Sequence, residues 1–416
     1  MVGGAVAGLS RRLGRGQGSV VGGRAILTLD PRALEHLAQG HRIAVVSGTN
    51  GKTTTTSMLA AAMAATGPVV SNAHGANLPP GLAAALAAGR TSASPGAQPA
   101  LAALEVDEAW MGRVVAATNP EVAVLLNLSR DQLDRNNEVR RLSSAWREVF
   151  AQPGAPGVVA NADDPLVVWG AGAASSVTWV GAGQPWTADA SGCPSCGGRI
   201  LFRDGSWACA ACSLRRPELA VWVEGDEVVT VQGRRHRLHL QLPGRCNAAN
   251  AALAMAAANR FGVDAVAALG AMADIQEVGG RYRHVQVGHT EATLLLAKNP
   301  AGWTEVFDLI APPPGPVVVA INARIADGKD PSWLWDVPFE RLEGRSVVAT
   351  GERSRDLAVR LHYAGVEHVR IDDMVAAVRH AGPGAVDVVA NYTSFQSLIT
   401  QLPANPGTPN ASEAAN

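Results

Sequence analysis

At 416 residues the chain has the length of two or three domains of roughly 100–200 residues each. Hydrophobic residues make up 47% and charged residues 17%, which suits buried cores and excludes a disordered polyelectrolyte. Lys and Arg number 35 against 36 Asp and Glu, a formal net charge of −1 that argues against a general nucleic-acid binder, and no apolar run reaches the roughly 18 residues of a membrane span. At the N-terminus the charges of Arg11 and Arg12 follow a very short apolar stretch, the reverse of a signal peptide, so a cytoplasmic protein is expected. The Gly/Arg-rich stretch Arg11 to Gly23 reads as mobile or wrapped over the surface. Arg42 to Ser47 predicts a buried strand, and Thr53 to Thr66 a small-residue helix. Further strands are predicted at Leu101 to Val106, Val122 to Asn127 and Val158 to Asn161, with helical patterns between them. That alternation predicts an α/β fold with a mostly parallel sheet covered on both faces.

A cysteine-bearing insertion at about 185–219 interrupts the series. An Ala-rich helix from Cys246 to Phe261, ended by Gly262, follows. A second αβ series has predicted strands at Thr293 to Ala297, Val317 to Asn322, Ser346 to Thr350 and Val386 to Asn391, with Pro312 to Pro316 as a stiff connector. The expected organisation is an N-terminal segment (1–40) packed on or near a first αβ domain (41–284), a C-terminal domain (285–402) and a disordered tail (403–416).

Gly48-Thr49-Asn50-Gly51-Lys52-Thr53-Thr54 lies between the first strand and its helix. Glycines let the backbone approach phosphate oxygens, the helix N-terminus adds positive dipole, Lys52 reaches the β- and γ-phosphates, and the Thr53 hydroxyl is a magnesium ligand. The loop is shorter than the usual motif, which has about four residues before its Gly-Lys pair. Both ATP and Mg²⁺ are expected cofactors. Cys193, Cys196, Cys209 and Cys212 form two C-x-x-C knuckles, which predict a closed tetrahedral site for structural Zn²⁺, with short strands at Arg199 to Phe202 and Ser206 to Ala208. The fifth cysteine, Cys246, reads as a packing residue.

The short phosphate loop resembles that of the Mur ligase family, the ATP-dependent enzymes that build the peptidoglycan stem peptide, and of their folylpolyglutamate synthetase relatives. The resemblance implies a Mur-ligase-like P-loop ATPase domain plus a C-terminal Rossmann-like α/β domain, and the four-cysteine zinc ribbon expected from the spacing is then an insertion in the ATPase domain that ordinary members of the family lack. Glu105, in Leu104-Glu105-Val106-Asp107-Glu108, resembles the family's magnesium-binding glutamate. Asn247 and Asn250, in Gly244 to Ala252, match the segment that helps hold adenine and ribose, and Arg281 stands where the family has an arginine before its C-terminal domain. Asn72 and Asn77, in Ser71 to Asn77 around His74, Arg130 and Asp131, in Asn127 to Arg135, and Lys298, before Asn299-Pro300, resemble substrate-side loops.

Three features narrow the resemblance to the MurT-like ligase subunits of lipid II isoglutaminyl synthases. They are the zinc knuckles inside the ATPase domain, Asn127 to Arg135 in place of a histidine-containing segment, and Ala326-Asp327-Gly328-Lys329-Asp330-Pro331-Ser332-Trp333-Leu334-Trp335-Asp336. Only about 40 residues precede the first strand, so no domain for a soluble uridine carrier is expected, which favours a lipid-linked acceptor. The resemblance implies amidation of the D-glutamate α-carboxylate of lipid II to D-isoglutamine through an acyl phosphate, with ammonia from a GatD-like glutamine amidotransferase partner, at the inner face of the cell membrane. An aspartate can orient the histidine of a Cys–His glutaminase pair, and the resemblance implies that the C-terminal domain supplies one to complete the partner's triad, with Asp327, Asp330 and Asp336 as candidates. Asp336 is favoured, since Trp333 and Trp335 beside it can anchor an interface. The competing readings are a ligase adding a whole amino acid to a soluble acceptor and an ATP-binding scaffold for a glutaminase.

Overall fold

The computed structural model describes residues 18–72, 76–89, 99–130, 139–181, 183, 186–275 and 282–402. They fall into two compact units, one from residues 18–129 and 139–275, the other from Arg130 and residues 282–402.

The first unit carries β1 (His41–Ser47), β2 (Val69–Ser71), β3 (Ala100–Glu105), β4 (Val122–Leu125), β5 (Gly157–Asn161), β6 (Val177–Gly181), β7 (Ile200–Arg203), β8 (Ser206–Cys209), β9 (Val221–Glu224), β10 (Glu227–Thr230) and β11 (Arg235–Arg237). All but β7 and β8 join one nine-stranded sheet in the order β11-β10-β9-β6-β5-β4-β1-β3-β2. It is parallel from β2 to β9, and the β9–β10–β11 meander at its edge is antiparallel. Alternate residues of β1 feed opposite cores. Ala44 and Val46 pack with the helices Lys52–Met63, Arg245–Ala258 and Ala265–Met272, whereas Ile43 and Val45 pack with Ala33–Ala38, Pro79–Gly89, Met111–Thr118 and Val139–Phe150. A strand buried on both faces must be apolar at successive positions, which is why this run is legible as a central parallel strand. The Arg245–Ala258 helix is buried from Asn250 onward, and Gly262 at φ 84° follows the short 3₁₀ turn that ends it.

Gly18 to Gly23, read from sequence as mobile or surface-wrapped, begins a helix that runs to Leu29. Glycine is needed there for contact rather than for freedom: a Cβ on Gly23 would sit 1.7 Å from the carbonyl oxygen of Pro80 in the Pro79–Gly89 helix.

The second unit holds β12 (Tyr282–Val287), β13 (Thr290–Leu296), β14 (Val317–Ala320), β15 (Val347–Thr350), β16 (His368–Arg370) and β17 (Gly384–Ala390), in the order β12-β13-β17-β14-β15-β16. Only β12 runs antiparallel, paired to β13 through a tight turn at Gly288, φ 65°. Helices cover both faces, as in the α/β layers the sequence predicts. Among the described residues no helix is long and apolar enough to cross a membrane.

Candidate active site

The loop after β1 is where parallel sheets bind ligands, at the carboxyl ends of the strands. Gly48 has φ 149° and Gly51 φ 85°. A side chain at Gly48 would meet Leu126 Cβ at 2.8 Å, and one at Gly51 would meet Asn250 Oδ1 at 2.8 Å. The loop is therefore wedged between the segment that follows β4 and the start of the Arg245–Ala258 helix. Asn127 Oδ1 accepts from the Asn50 N–H (2.9 Å), and Asn127 Nδ2 donates to the Asn50 carbonyl (3.0 Å). The Thr49 hydroxyl accepts from the Ser129 N–H (3.0 Å) and donates to the Ser129 carbonyl (3.1 Å). The sequence alone gives Asn127 and Ser129 no role; their bracing of the loop spans about eighty residues and has no local signature.

Lys52 and Thr53 open the Lys52–Met63 helix, and both are buried. Lys52 Nζ donates to the Gly48 and Thr49 carbonyls (2.5 and 3.2 Å) and to Glu108 Oε2 (3.0 Å). No local pattern in the sequence marks Glu108 as a partner of this lysine. The Trp146 indole N–H donates to its backbone carbonyl (3.0 Å), and Asp107 caps the short turn it begins, accepting from Ala109 N–H.

Glu105 ends β3, one strand from the phosphate loop, and is 1% exposed. Asn72 brackets its backbone, donating to the Glu105 carbonyl (2.8 Å) and accepting from its N–H (2.7 Å). Asn77 Nδ2 reaches Glu105 Oε1 at 3.3 Å, while Oε2 is buried with no hydrogen-bond partner among the described residues. A carboxylate oxygen left bare in the interior is costly unless a cation takes it. Glu105 thus offers a ligand atom that suits a bound cation, with Asn72 and Asn77 shaping the glutamate, and Thr53 is buried at the start of the helix that follows the loop. Asn247 and Asn250 lie on one face of the Arg245–Ala258 helix, joined by a 3.4 Å hydrogen bond, with Asn250 seated on Gly51. Arg281 and Asp131 lie outside the described residues, as does His74.

The four knuckle cysteines converge. Their sulfurs all lie within 4.8 Å of one another, and backbone N–H groups of Gly198 and Ala211 donate to Cys196 and Cys209. The Ala211 N–H, aided by Cys196, lowers the pKa of the Cys209 thiol from its ordinary value to about 7. Such a set suits one tetrahedral thiolate-binding metal. β7 and β8 pair within the ribbon, Trp207 is buried, and its indole N–H reaches the Ala162 carbonyl at 3.0 Å, tying the ribbon to the main sheet.

In the second unit the three candidate aspartates differ. Asp327 is buried and accepts from the N–H groups of Arg324 (3.2 Å) and Thr393 (2.9 Å) and from the Thr393 hydroxyl. Asp330 accepts from Ser332 N–H at 2.9 Å. Asp336 is exposed and pairs with Arg130 at 3.2 Å. Trp333 does not reach the surface with Trp335: it packs in the core 6.4 Å from Trp303, because the 3₁₀ turn Ser332–Asp336 points the two indoles apart. Trp335 is 55% exposed and stacks edge-on against Tyr363, itself 73% exposed. Lys298 lies 5.4 Å over the Tyr392 ring, and Asn299 caps the following helix.

Residues 46–258 match the Mur ligase middle domain, and residues 296–395 match the MurT ligase C-terminal domain. The chain is 28% identical to the MurT subunit of the glutamine-hydrolysing lipid II isoglutaminyl synthase of Streptococcus pneumoniae, over 93% of each chain. It is likewise 28% identical to the Staphylococcus aureus N315 MurT subunit, over 94% of each. Similar folds include a pseudomurein peptide ligase type C from Methanothermus fervidus (TM-score 0.68, 19% identity, 87% of this chain and 79% of that one). MurF from Acinetobacter baumannii is another (TM-score 0.63, 15% identity, 91% and 80%). With the middle domain matched over just over half of its length and MurT subunits matched nearly end to end, the chain belongs to the Mur ligase family and is MurT-like.

Proposed function

We propose that this chain is the ligase subunit of a glutamine-dependent lipid II isoglutaminyl synthase. It converts the D-glutamate α-carboxylate of the stem peptide to D-isoglutamine, with ATP as activator and ammonia supplied by a GatD-like glutaminase. The observation that carries the reading is the buried Glu105 Oε2, which has no hydrogen-bond partner among the described residues, at the strand end beside the strand that leads into the Lys52 loop. It supports a site for metal-bound triphosphate, in a chain similar over nearly its whole length to MurT subunits.

A carboxylate oxygen is a poor leaving group, so amide formation needs activation first. The substrate oxygen takes the γ-phosphoryl group from ATP, ADP departs, and an acyl phosphate remains. Ammonia then bonds to the carbonyl carbon, loses a proton, and phosphate leaves. Lys52 and the N–H groups at the start of its helix neutralise charge on the moving phosphoryl group. Thr53 and Glu105 would hold magnesium, which would supply further charge neutralisation there. Asn50, Asn127 and Ser129 keep the loop in shape, and Asn247 and Asn250 hold the nucleoside end. Asn77, Lys298, Arg130 and Asp131 serve the acceptor side. The four cysteines hold structural zinc, and Asp336 completes the partner's triad, its exposure leaving it accessible where Asp327 is committed to backbone. The acceptor's lipid anchor places the work at the inner face of the membrane.

The test is incubation of the full chain with ATP, Mg²⁺, lipid II and ammonium, with and without the glutaminase, followed by mass analysis of the stem peptide. Conversion of carboxyl to amide is expected with ammonium alone, and its loss in Lys52→Ala. A product heavier by a whole amino-acid residue would favour the amino-acid ligase instead, and no change in mass would favour the scaffold.

A further inference from the structure

The outer face of the cysteine ribbon carries charge that the fold does not use. Alternate residues of a strand point to opposite sides, and directly opposed residues of antiparallel neighbours share a side. Ile200, Trp207 and Cys209 face inward and pack with Val168. The other side presents Arg199, Leu201 and Arg203 along β7, Ser206, Ala208 and Ala210 along β8 and its end, and Arg215, which bridges to Ala208. All of these are exposed except the half-buried Leu201. We propose that this face docks on the surface of an anionic phospholipid bilayer. The inference deepens the reading of a lipid-linked acceptor, by naming the surface through which the chain meets the membrane that holds it.

Arg199, Arg203 and Arg215 form no ion pair among the described residues, whereas Arg216, on the inward side, pairs with Asp163. Between residues 191 and 217 the sequence has one carboxylate, Asp204, in the turn that joins β7 to β8. Nor do the arginines serve the cysteine centre, where the N–H donors to sulfur are those of Gly198 and Ala211. Arg199 and Arg203 stand about 13 Å apart along β7, and Arg215 lies two strands away, about 10 Å across. That spread suits a plane of negative charge better than a single anion, which needs donors converging on one point. Ser206, Ala208 and Ala210 are short, so little stands in front of the guanidinium groups when a flat surface approaches.

A nucleic acid is disfavoured by the formal net charge of −1 and by the few positive groups on the face. Each arginine held near an anionic membrane contributes about fivefold to partitioning, so three contribute on the order of a hundredfold. That is too weak for permanent anchoring, which takes two attachments. It is enough to orient a chain whose second hold is the acceptor itself.

The experiment is co-sedimentation of the full chain with acceptor-free vesicles, either of phosphatidylcholine alone or of phosphatidylcholine mixed with phosphatidylglycerol. Wild type is expected to bind the mixed vesicles, to release them as salt rises, and to ignore the neutral ones. The triple variant Arg199→Gln, Arg203→Gln, Arg215→Gln should bind mixed vesicles on the order of a hundredfold less tightly. Replacement of the same three by Lys should keep most of the binding. If the triple Gln variant does not fold, as judged by circular dichroism, Arg203→Gln with Arg215→Gln should still cost roughly twentyfold. Unchanged binding by a folded Gln variant, equal binding to neutral vesicles, or no binding by wild type overturns the proposal. So does tighter binding of wild type to single-stranded RNA, or release of the vesicles when the glutaminase is added. A second arm follows amidation driven by ammonium. The Gln variant should need more lipid II for half-maximal rate in mixed vesicles, and the same amount as wild type in neutral detergent. An equal requirement in both settings overturns a role in reaching the acceptor. Wild type that amidates lipid II in neither setting overturns the lipid-linked reading instead, and the vesicle result then stands by itself.

Discussion

Lys52 and Asp336 show how differently two charged residues can be legible. The lysine sits in a contiguous motif whose residues act on one another over a few bonds, so its burial at the helix start follows from the glycines around it. Its partner Glu108 is 56 residues away, brought close because β3 neighbours β1, and no local pattern announces that pairing. The aspartates illustrate the opposite case, three similar residues within one loop whose spacing leaves the choice open. Their contacts separate them: Asp327 holds the N-terminal end of the Tyr392–Gln401 helix, whereas Asp336 is exposed and pairs with Arg130. If Asp336 orients a histidine in the partner, Asp336→Asn should abolish amidation driven by glutamine and leave amidation driven by added ammonium near wild-type rates. Equal loss with both donors would remove the triad role. Asp327→Asn should instead lower thermal stability, through weaker acceptance at the helix start.

At the scale of the element, the ribbon repays attention to connectivity. β6 and β9 are parallel neighbours, and a parallel pair needs a crossover of a dozen or more residues. Here the cysteine ribbon lies within that crossover, held to the rest by Trp207 and by Arg216, which pairs with Asp163 at 2.5 Å. The two knuckles were readable because metal chemistry demands their spacing, whereas the connection of β9 to the sheet was not. Metal analysis should find zinc in a one-to-one ratio with the chain. Cys196→Ser or a strong chelator should remove it and speed amide hydrogen exchange in β9, β10 and β11, while ATP binding persists. Loss of ATP binding in step with zinc would show that the ribbon serves the nucleotide site directly. The helix beginning at Gly18 escaped the sequence for a related reason: its glycines suggest a loop until Pro80 is found against Gly23.

At the scale of the molecule, each unit has apolar cores on both faces of its sheet, and the first has a further small one around the cysteine ribbon. The alternating apolar runs made both layered units legible, since strands covered on two sides must be oily throughout. A ligand that binds only the folded state stabilises it by mass action, about 2.7 kcal/mol at a hundredfold excess over its Kd. Calorimetric unfolding with Mg²⁺ and ATP should therefore raise the transition of the unit that carries Lys52 by the larger amount. A larger rise in the other unit would place the nucleotide elsewhere.

The pairing of Val46 with Glu105 across β1 and β3 has a bearing on what kinds of genetic change this protein tolerates. Successive positions on a strand look to opposite sides, so one codon lost or gained within Ala100–Glu105 would turn the carboxylate toward the layer lined by Ala102 and Leu104. Exchanging one small aliphatic for another in that stretch alters bulk but leaves the order of faces intact. Miscounting is thus a graver error here than misspelling, and natural variants of this strand should differ in letters while agreeing in number.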